Sequence, residues 1–482
     1  MERHMPRSFR LVCGPEHVGL VEALLRAEGH VFTPEPFHPL ARQVLEEPTP
    51  LGASMAAAFG LIYIQDRSSM LAPLLLQPPR GGVVLDMCAS PGSKTGLLAQ
   101  LVGSTGMVLA NEPNPRRLAT LRQNLAVLNL AQVVTCGHPG QELPLSEERF
   151  SHIQLDPPCS GWGTVERNPR VREMWPEHKL GPLIALQRDL MRKAATLLAP
   201  GGRLLYSTCT TNPGENREQV QWATEVLGLV PAPLPSLPGF EQSWTEDKTS
   251  GASSCGWLQI RTETGEGQGF FYAALTFSKP SGSTSVETGQ VGPGQFVAAR
   301  HEQSGSNQHP SARSRRKRRG ENAGERGNAP GIVIDPQACS GLLNVAWERL
   351  PPGEARDFGG RVIFLPELAL SPGRGLALPS RLGWRGIELG RMGGGVLRLH
   401  PRMRLLLPEY APGRGVNLDD VSDLQKLLQG QSLALPSGAI ADLKRAKGAT
   451  GAGVGGRIGL YWRSLPLGWV TLKGGRYLWS AK

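Results

Sequence analysis

The chain has 482 residues, room for about three domains and at least one sizeable core. Hydrophobic residues make up 40%, as in a soluble globular protein, while 60 Gly and 41 Pro imply many turns and a loose segment. A formal charge of +11 favours an acidic partner, with nucleic acid the leading candidate; seven cysteines without a CxxC pair argue against a zinc knuckle or a disulfide framework, and no stretch approaches the ~18 apolar residues of a membrane span.

Residues 1–60 read as a small N-terminal α/β unit, expected to bind RNA. In it SFRLVC is a strand and VGLVEALLRAEG an amphipathic helix closed by Gly29. The first residues, MERHMPRSFRLVCGPEH, lack a signal-peptide apolar region, so a cytoplasmic location with reduced thiols is expected. A second unit spans 61–277 and opens with LIYIQDRSSMLAPLLLQ, a short strand running into a helix. Five apolar runs follow: VVLDMC (83–88), MVLANE (107–112), VVTCGH (133–138), HIQLD (152–156) and RLLYSTC (203–209). Helical segments separate most of them, which predicts a doubly wound, mostly parallel sheet closed by a hairpin of WLQIR and GFFYAALTF. Residues 278–330 have the composition of a disordered linker. Six of its basic residues, Arg313, Arg315, Arg316, Lys317, Arg318 and Arg319, carry more than half of the net charge, since +11 becomes +5 without them. The segment is either a solvated linker or an arm that contacts RNA. Residues 331–482 are Gly-rich and β-leaning, ending in RIGLYWRSLPLGWVTLKGGRYLW, which suggests the hairpins of a small barrel.

Ligands of a doubly wound sheet sit beyond the carboxyl ends of its strands. LDMCASPGSKT (85–95) is such an end: Asp86 closes a strand, Gly92 permits close backbone approach, and a helix begins near Thr95. A phosphate-binding P-loop does not fit, because Ser93 stands between Gly92 and Lys94 and Cys88 occupies the place of the first Gly. No GxGxxG follows a strand, which disfavours a dinucleotide. The next strand ends in Glu112, 26 residues after Asp86, where a carboxylate can accept from both ribose hydroxyls. That pattern suits S-adenosylmethionine.

Two thiols end the next pair of strands. In LDPPCSG, Asp156 closes one strand and Pro157 and Pro158 stiffen the loop that carries Cys159. In LLYSTCTTNPGEN, Cys209 closes the next, so neighbouring strands would bring the carboxylate and both thiols to one crevice. Methylation of cytosine at C5 needs such a set. A thiolate adding to C6 makes C5 nucleophilic, the methyl transfers, a base takes the C5 proton and the thiol leaves. An acid on the N3 edge, for which Asp156 is the candidate, absorbs the developing charge. Only roughly 3% of an ordinary thiol is ionised at neutral pH, so the site should be electropositive, with Lys94 or the cofactor's sulfonium as the source. Position alone does not rank the two thiols.

YIQDRSSML, LDMCASPGSKT, ANEPNPRRLATLRQN, LDPPCSGWGTVERNP, LAPGGRLLYSTCTTNPGEN and GFFYAAL, in that order, resemble the RNA cytosine-C5 methyltransferases of the NOL1/NOP2/sun (RsmB/RsmF) family over roughly residues 8–277. DLQKLLQGQSLAL and YWRSLPLGWVTLKGG add a likeness to the PUA-like RNA-binding end of the family's small-subunit rRNA F type. The resemblance implies an α/β architecture. Its centre is a Rossmann-like, doubly wound class I methyltransferase sheet, flanked by the N-terminal unit and a C-terminal β-rich PUA-like domain. It implies that Cys88, Ala89, Ser90, Pro91, Gly92, Ser93 and Lys94, with Glu112 and Asp156, contact S-adenosylmethionine or the target base. It also implies that Cys209 attacks C6 and that Cys159 helps release the product.

The expected partner is RNA, rRNA or tRNA, the expected state a monomer, and no metal site is expected. The family has an acid after the third strand, where this chain reads TCGHPGQ with His138; Glu142 lies close by. In ERNP (166–169), Arg167 remains where two basic residues are usual. Two rivals differ in class. An amino-group methyltransferase would carry an aromatic where Cys159 stands, and a non-catalytic assembly factor would not need both thiols and Asp156.

Overall fold

In the computed structural model the described residues are 7–243, 256–277, 331–339, 345–371, 376–435 and 456–480. Four short antiparallel strands open the chain: β1 (Ser8–Leu11), β2 (Val31–Pro34), β3 (Ala41–Glu46) and β4 (Ile62–Ile64), in the order β2-β3-β1-β4. They are backed by α1 (Val18–Ala27), which buries Val21, Leu24 and Leu25 at helical spacing, and by the one-turn helix α2 (Met55–Ala58). The strand β4 was expected to open the second unit. It pairs with β1 instead, so the N-terminal unit runs to residue 64, four residues past the boundary expected at 60.

The helix α3 (Arg67–Leu76) leads into the central sheet. Its strands are β5 (Val83–Asp86), β6 (Met107–Asn111), β7 (Val133–Cys136), β8 (Phe150–Leu155), β9 (Leu198–Thr208), β10 (Leu229–Pro231), β11 (Trp257–Ile260) and β12 (Phe270–Phe277). The helices between them are α4 (Ser93–Val102), α5 (Pro115–Leu128), α6 (Val171–Met174), α7 (Gly181–Leu197) and α8 (Arg217–Leu227). The order is β10-β12-β9-β8-β5-β6-β7, with β11 also on β12. β5 to β9 pair in parallel, and β12 joins β9 antiparallel, forming the expected closing hairpin with β11. Leu71, Leu97 and Leu121 pack on one face and Leu190, Met191 and Val220 on the other, which is why the central strands are apolar throughout. The chain winds outward from β5 through β6 to β7, then returns to β8 on the other side of β5. That reversal makes the tips of β5 and β8 the place where a doubly wound sheet opens a crevice.

The C-terminal part is not a single small barrel, as expected, but two five-stranded sheets. One is a meander of β13 (Ile332–Ile334), β14 (Gly353–Asp357), β15 (Arg361–Pro366), β16 (Ile387–Gly393) and β17 (Val396–Leu399). The other holds β18 (Gly415–Leu418), β19 (Leu433–Ala434), β20 (Gly456–Trp462), β21 (Leu465–Lys473) and β22 (Arg476–Leu478) in the order β18-β20-β21-β22-β19. The expected hairpin is β20–β21, turning at Arg463 and Ser464, both at positive φ. The split has a physical cause: the second sheet shares a core with the N-terminal unit, where Phe9, Leu25 and Phe59 pack among Leu424, Trp462 and Trp479.

Arg404 ties the three parts together. Its buried guanidinium donates to the carbonyls of Gly60 (2.8 Å), Val12 (3.0 Å), Val127 (3.1 Å) and Leu128 (3.3 Å). Beside it, the Asn129 side chain donates to the Arg402 carbonyl at 2.8 Å and accepts from the Leu405 amide at 3.2 Å. The 278–330 linker, with its basic run 313–319, lies outside the described residues.

Candidate active site

β8 and β9 are neighbours, in a register that sets Leu155 beside Tyr206. The residues just past each tip therefore meet. Ser207 Oγ donates to Asp156 Oδ1 at 2.9 Å, and Lys94 Nζ, from the first turn of α4, donates to Asp156 Oδ2 at 2.7 Å. Pro157 and Pro158 turn the chain so that Cys159 Sγ lies 3.2 Å from Cys209 Sγ. Asp156 keeps 26% of its side chain open, so the trio borders solvent.

The residue after each thiol is locked from beneath. Ser160 Oγ and Thr210 Oγ1 are 2.7 Å apart. Both sit over Glu215, a fully buried carboxylate that accepts from Ser160 N (2.9 Å), Ser160 Oγ (2.6 Å), Gln187 Nε2 (3.0 Å) and Asn212 Nδ2 (3.2 Å). A buried charge is tolerable where donors surround it. Farther along the Cys159 loop, Gly163 N donates to the Cys209 carbonyl (3.0 Å) and Gly269 N to the Gly163 carbonyl (2.9 Å). A Cβ on Gly163 would fall 1.8 Å from the Gly269 carbonyl oxygen, so this contact requires glycine.

The two thiols differ electrostatically. The thiol of Cys159 donating to Cys209 lowers the Cys209 pKa; burial and Asp156 oppose this, the nearby Lys94 assists, and the net direction is down. The same hydrogen bond, then burial, then the charges of Cys209, Asp156 and Glu215 push the Cys159 thiol well up. Burial works against the Lys94 ammonium, but the Asp156 carboxylate outweighs it and raises its pKa. Cys136 is buried and Cys88 half-buried; desolvation raises the pKa of both, and neither has a second thiol as partner among the described residues.

On the other side of β5 lies the expected cofactor end. Asp86 is buried, accepts from Thr95 Oγ1 at 2.7 Å, and is pushed by burial up to about 7. Cys88 to Gly92 form the loop into α4, and Gly92 takes φ +106°, which a side chain would resist. The loop is braced on α5: Arg117 Nη2 donates to the Ser90 carbonyl (3.0 Å) and Asn124 Nδ2 to the Pro91 carbonyl (2.8 Å). Glu112, 3% exposed past the tip of β6, accepts from the Asn114 amide at 2.9 Å and pairs with Arg117 Nε at 3.3 Å. Glu112, the α4 amides and Asp156 span the tips of three adjacent strands, roughly 10 Å at sheet spacing. An acceptor at one end and amide donors in the middle fit the ribose and the aminoacyl carboxylate of S-adenosylmethionine.

Two departures from the family pattern find their place. His138 turns its ring away from the crevice, Nε2 lying 2.9 Å from the Leu382 carbonyl of the C-terminal part, while its backbone exchanges hydrogen bonds with the Asn111 side chain. It serves a domain contact. Glu142 is exposed on a 3-10 turn. Arg167 pairs with Asp66 at 3.0 Å. Sequence reasoning missed Ser207, Glu215 and the Gly163–Gly269 contact. Ser207 and Glu215 stand inside the stretch quoted for Cys209, but nothing in their spacing says what they touch.

A crevice at the switch point, with an acid on the strand after the loop, defines an S-adenosylmethionine-dependent methyltransferase sheet of the Rossmann-like class I kind. Residues 73–276 match the family described as 16S rRNA methyltransferase RsmB/F, and through this domain the chain belongs to the NOL1/NOP2/sun (RsmB/RsmF) family. Among curated relatives, ribosomal RNA small subunit methyltransferase F of Cronobacter sakazakii is 32% identical over 309 residues, covering 61% of this chain and 62% of that protein. The protein of the same name from Aeromonas salmonicida is 35% identical over 262 residues, covering 52% and 53%. The chain thus spans less than two thirds of the length of these relatives. The crystal structure of PH0851 is 30% identical, with a TM-score of 0.50, over 57% of this chain and 60% of that one.

Proposed function

We propose that the protein methylates C5 of a cytosine in structured RNA, with small-subunit rRNA as the substrate, through a covalent adduct between Cys209 and C6. The observation that carries this reading is the pair of sulfurs 3.2 Å apart, one favoured as thiolate, beside an acid held by Lys94 and Ser207. An amino-group methyltransferase has no use for two such thiols. The small-subunit substrate is supported by the names of the curated relatives and by the C-terminal motifs.

S-adenosylmethionine, held by the α4 loop and Glu112, supplies an electrophilic methyl group. A base extruded from its stack enters the crevice. The Cys209 thiolate adds to C6, and the electron pair of the C5–C6 bond becomes available at C5. Asp156 accepts from the amino group at the base's edge, and the Lys94 ammonium offsets the negative charge that develops on the ring at N3. After methyl transfer a base takes the C5 proton, the C6–S bond breaks, and its electron pair returns to Cys209. In this reading Cys159, whose sulfur is 3.2 Å from that of Cys209, hydrogen-bonds the departing sulfur. The basic run 313–319 and the C-terminal sheets serve as RNA-binding parts in this reading.

The test is to incubate the purified protein with S-adenosylmethionine and with deproteinised small-subunit rRNA, assembled small subunits or tRNA, and to map 5-methylcytosine. Product on small-subunit rRNA is expected. Product on tRNA alone would move the reading to a tRNA methyltransferase, and no product on any of them would leave only a non-catalytic assembly role.

A further inference from the structure

Far from the thiols, beyond the β7 edge of the sheet, a cleft of about 670 Å³ opens between the methyltransferase part and the first C-terminal sheet. One wall is α5 and β7, with Arg122; the other is β16, β17 and the start of β20, with Arg385, Arg391, Arg398 and Arg457. The walls are joined by main-chain hydrogen bonds between Thr135 and Arg385, at 2.8 and 2.9 Å, so the cleft is part of the fold.

Its charge is unbalanced. Among the described residues that line it, Glu388 is the one acid against five guanidinium groups. Glu388 is already committed, 2.7 Å from Arg385 and 3.8 Å from Arg391. Arg391 and Arg398 stand directly opposite each other on β16 and β17, a cross-strand pairing of like charges that costs stability when nothing lies between them. Arg457 Nη1 is buried with no protein partner among the described residues. Burial, reinforced by Arg385 for Arg122 and by Arg398 for Arg457, pulls both pKa values down. Such a cluster lacks anions, and guanidinium forks match phosphate oxygens in pairs.

We propose that this cleft binds the sugar–phosphate backbone of an RNA strand, its phosphates lying between Arg122 on one wall and Arg391, Arg398 and Arg457 on the other. The site is separate from the catalytic crevice, three strands away across β5 and β6, roughly 14 Å at sheet spacing. It would hold a stretch of the substrate that is not being modified. The proposal rests on the reading of RNA as substrate, but it does not depend on the chemistry performed there.

The experiment measures binding of a fluorescein-labelled mixed-sequence RNA oligonucleotide to the full chain across a salt series, without S-adenosylmethionine. Arg391→Ser with Arg398→Ser should weaken binding at least about fivefold and flatten the slope of log K against log salt by about 1.4, two single-strand phosphates' worth. Arg122→Gln, on the opposite wall, should act in the same direction by about half that slope. The melting temperature of the double variant should not fall, because a repulsive pair has been removed. Unchanged affinity, an effect from one wall only, or a loss that follows a lowered melting temperature would each overturn the cleft. The assay contains no methyl donor, so it reads binding apart from turnover. Failure of methylation with intact salt effects would therefore count against the chemistry alone, and methylation with unchanged slopes against the cleft alone.

Discussion

Cys159 Sγ and Cys209 Sγ lie 3.2 Å apart although 50 residues separate them in the chain. Each sits just past the tip of one of two adjacent parallel strands, and the residues that follow them, Ser160 and Thr210, are hydrogen-bonded over one buried carboxylate. The pairing is also unequal. The hydrogen bond with Cys159 and, to a lesser extent, Lys94 lower the Cys209 pKa against burial and Asp156, while every influence on Cys159 raises its pKa. Position makes both thiols candidates, and the family resemblance implies that Cys209 is the one that attacks.

The Lys94 charge should be visible in the pH profile. Cys209 titrates below its ordinary value, so the single-turnover rate should rise with pH through an apparent pKa under that value and then level off. Lys94→Met removes a cation that favours the thiolate, so the limb should move to higher pH. An unmoved limb would show that the ionisation governing the rate is not that of Cys209.

Glu215 touches neither ring nor cofactor in this account; it positions the two loops that do. Replacing it with Gln keeps the volume but turns one acceptor into a donor that faces existing donors. We expect kcat to fall at least about tenfold, with KM for RNA within about twofold. The thiolate absorbance of Cys209 should shift to higher pH. A loss of about 1–3 kcal/mol of stability should accompany it. Stability loss with an unaltered thiol titration would reduce Glu215 to a structural residue.

The doubly wound sheet was legible because β5 to β9 are buried on both faces and read as apolar runs between helices. Asp86, Glu112, Asp156, Cys159 and Cys209 were legible because polar residues at the ends of such runs have few structural reasons to be there. Long-range partners left no trace at the level of spacing. Nothing near Glu215 announces that it will meet Ser160, 55 residues away, and nothing in β4 says that it pairs with β1 instead of starting the next unit. The single C-terminal barrel failed for the same reason: the apolar faces of β20 and β21 were visible, but not that the N-terminal unit covers one of them. His138 marks a limit of motif reading, since its departure from the pattern reports a contact with Leu382.

Arg404 links parts of the chain that meet only in the folded state, and burial lowers its pKa to about 10. Arg404→Met should strand four carbonyls and destabilise the protein by about 3 kcal/mol or more. Limited proteolysis should then cut between the methyltransferase part and residues 331–480 more readily than in the wild type. An unchanged pattern and melting curve would mean that the apolar contacts hold the parts together without it.

The most direct measurement of the central claim is to trap the adduct. Labelled small-subunit rRNA and S-adenosylmethionine are mixed with wild type, Cys209→Ala or Cys159→Ala, and the products are run on a denaturing gel. The account predicts no turnover and no adduct for Cys209→Ala, and an RNA–protein band that accumulates for Cys159→Ala, because attack proceeds while release is impaired. Exchanged phenotypes, with the adduct forming through Cys159, would contradict it.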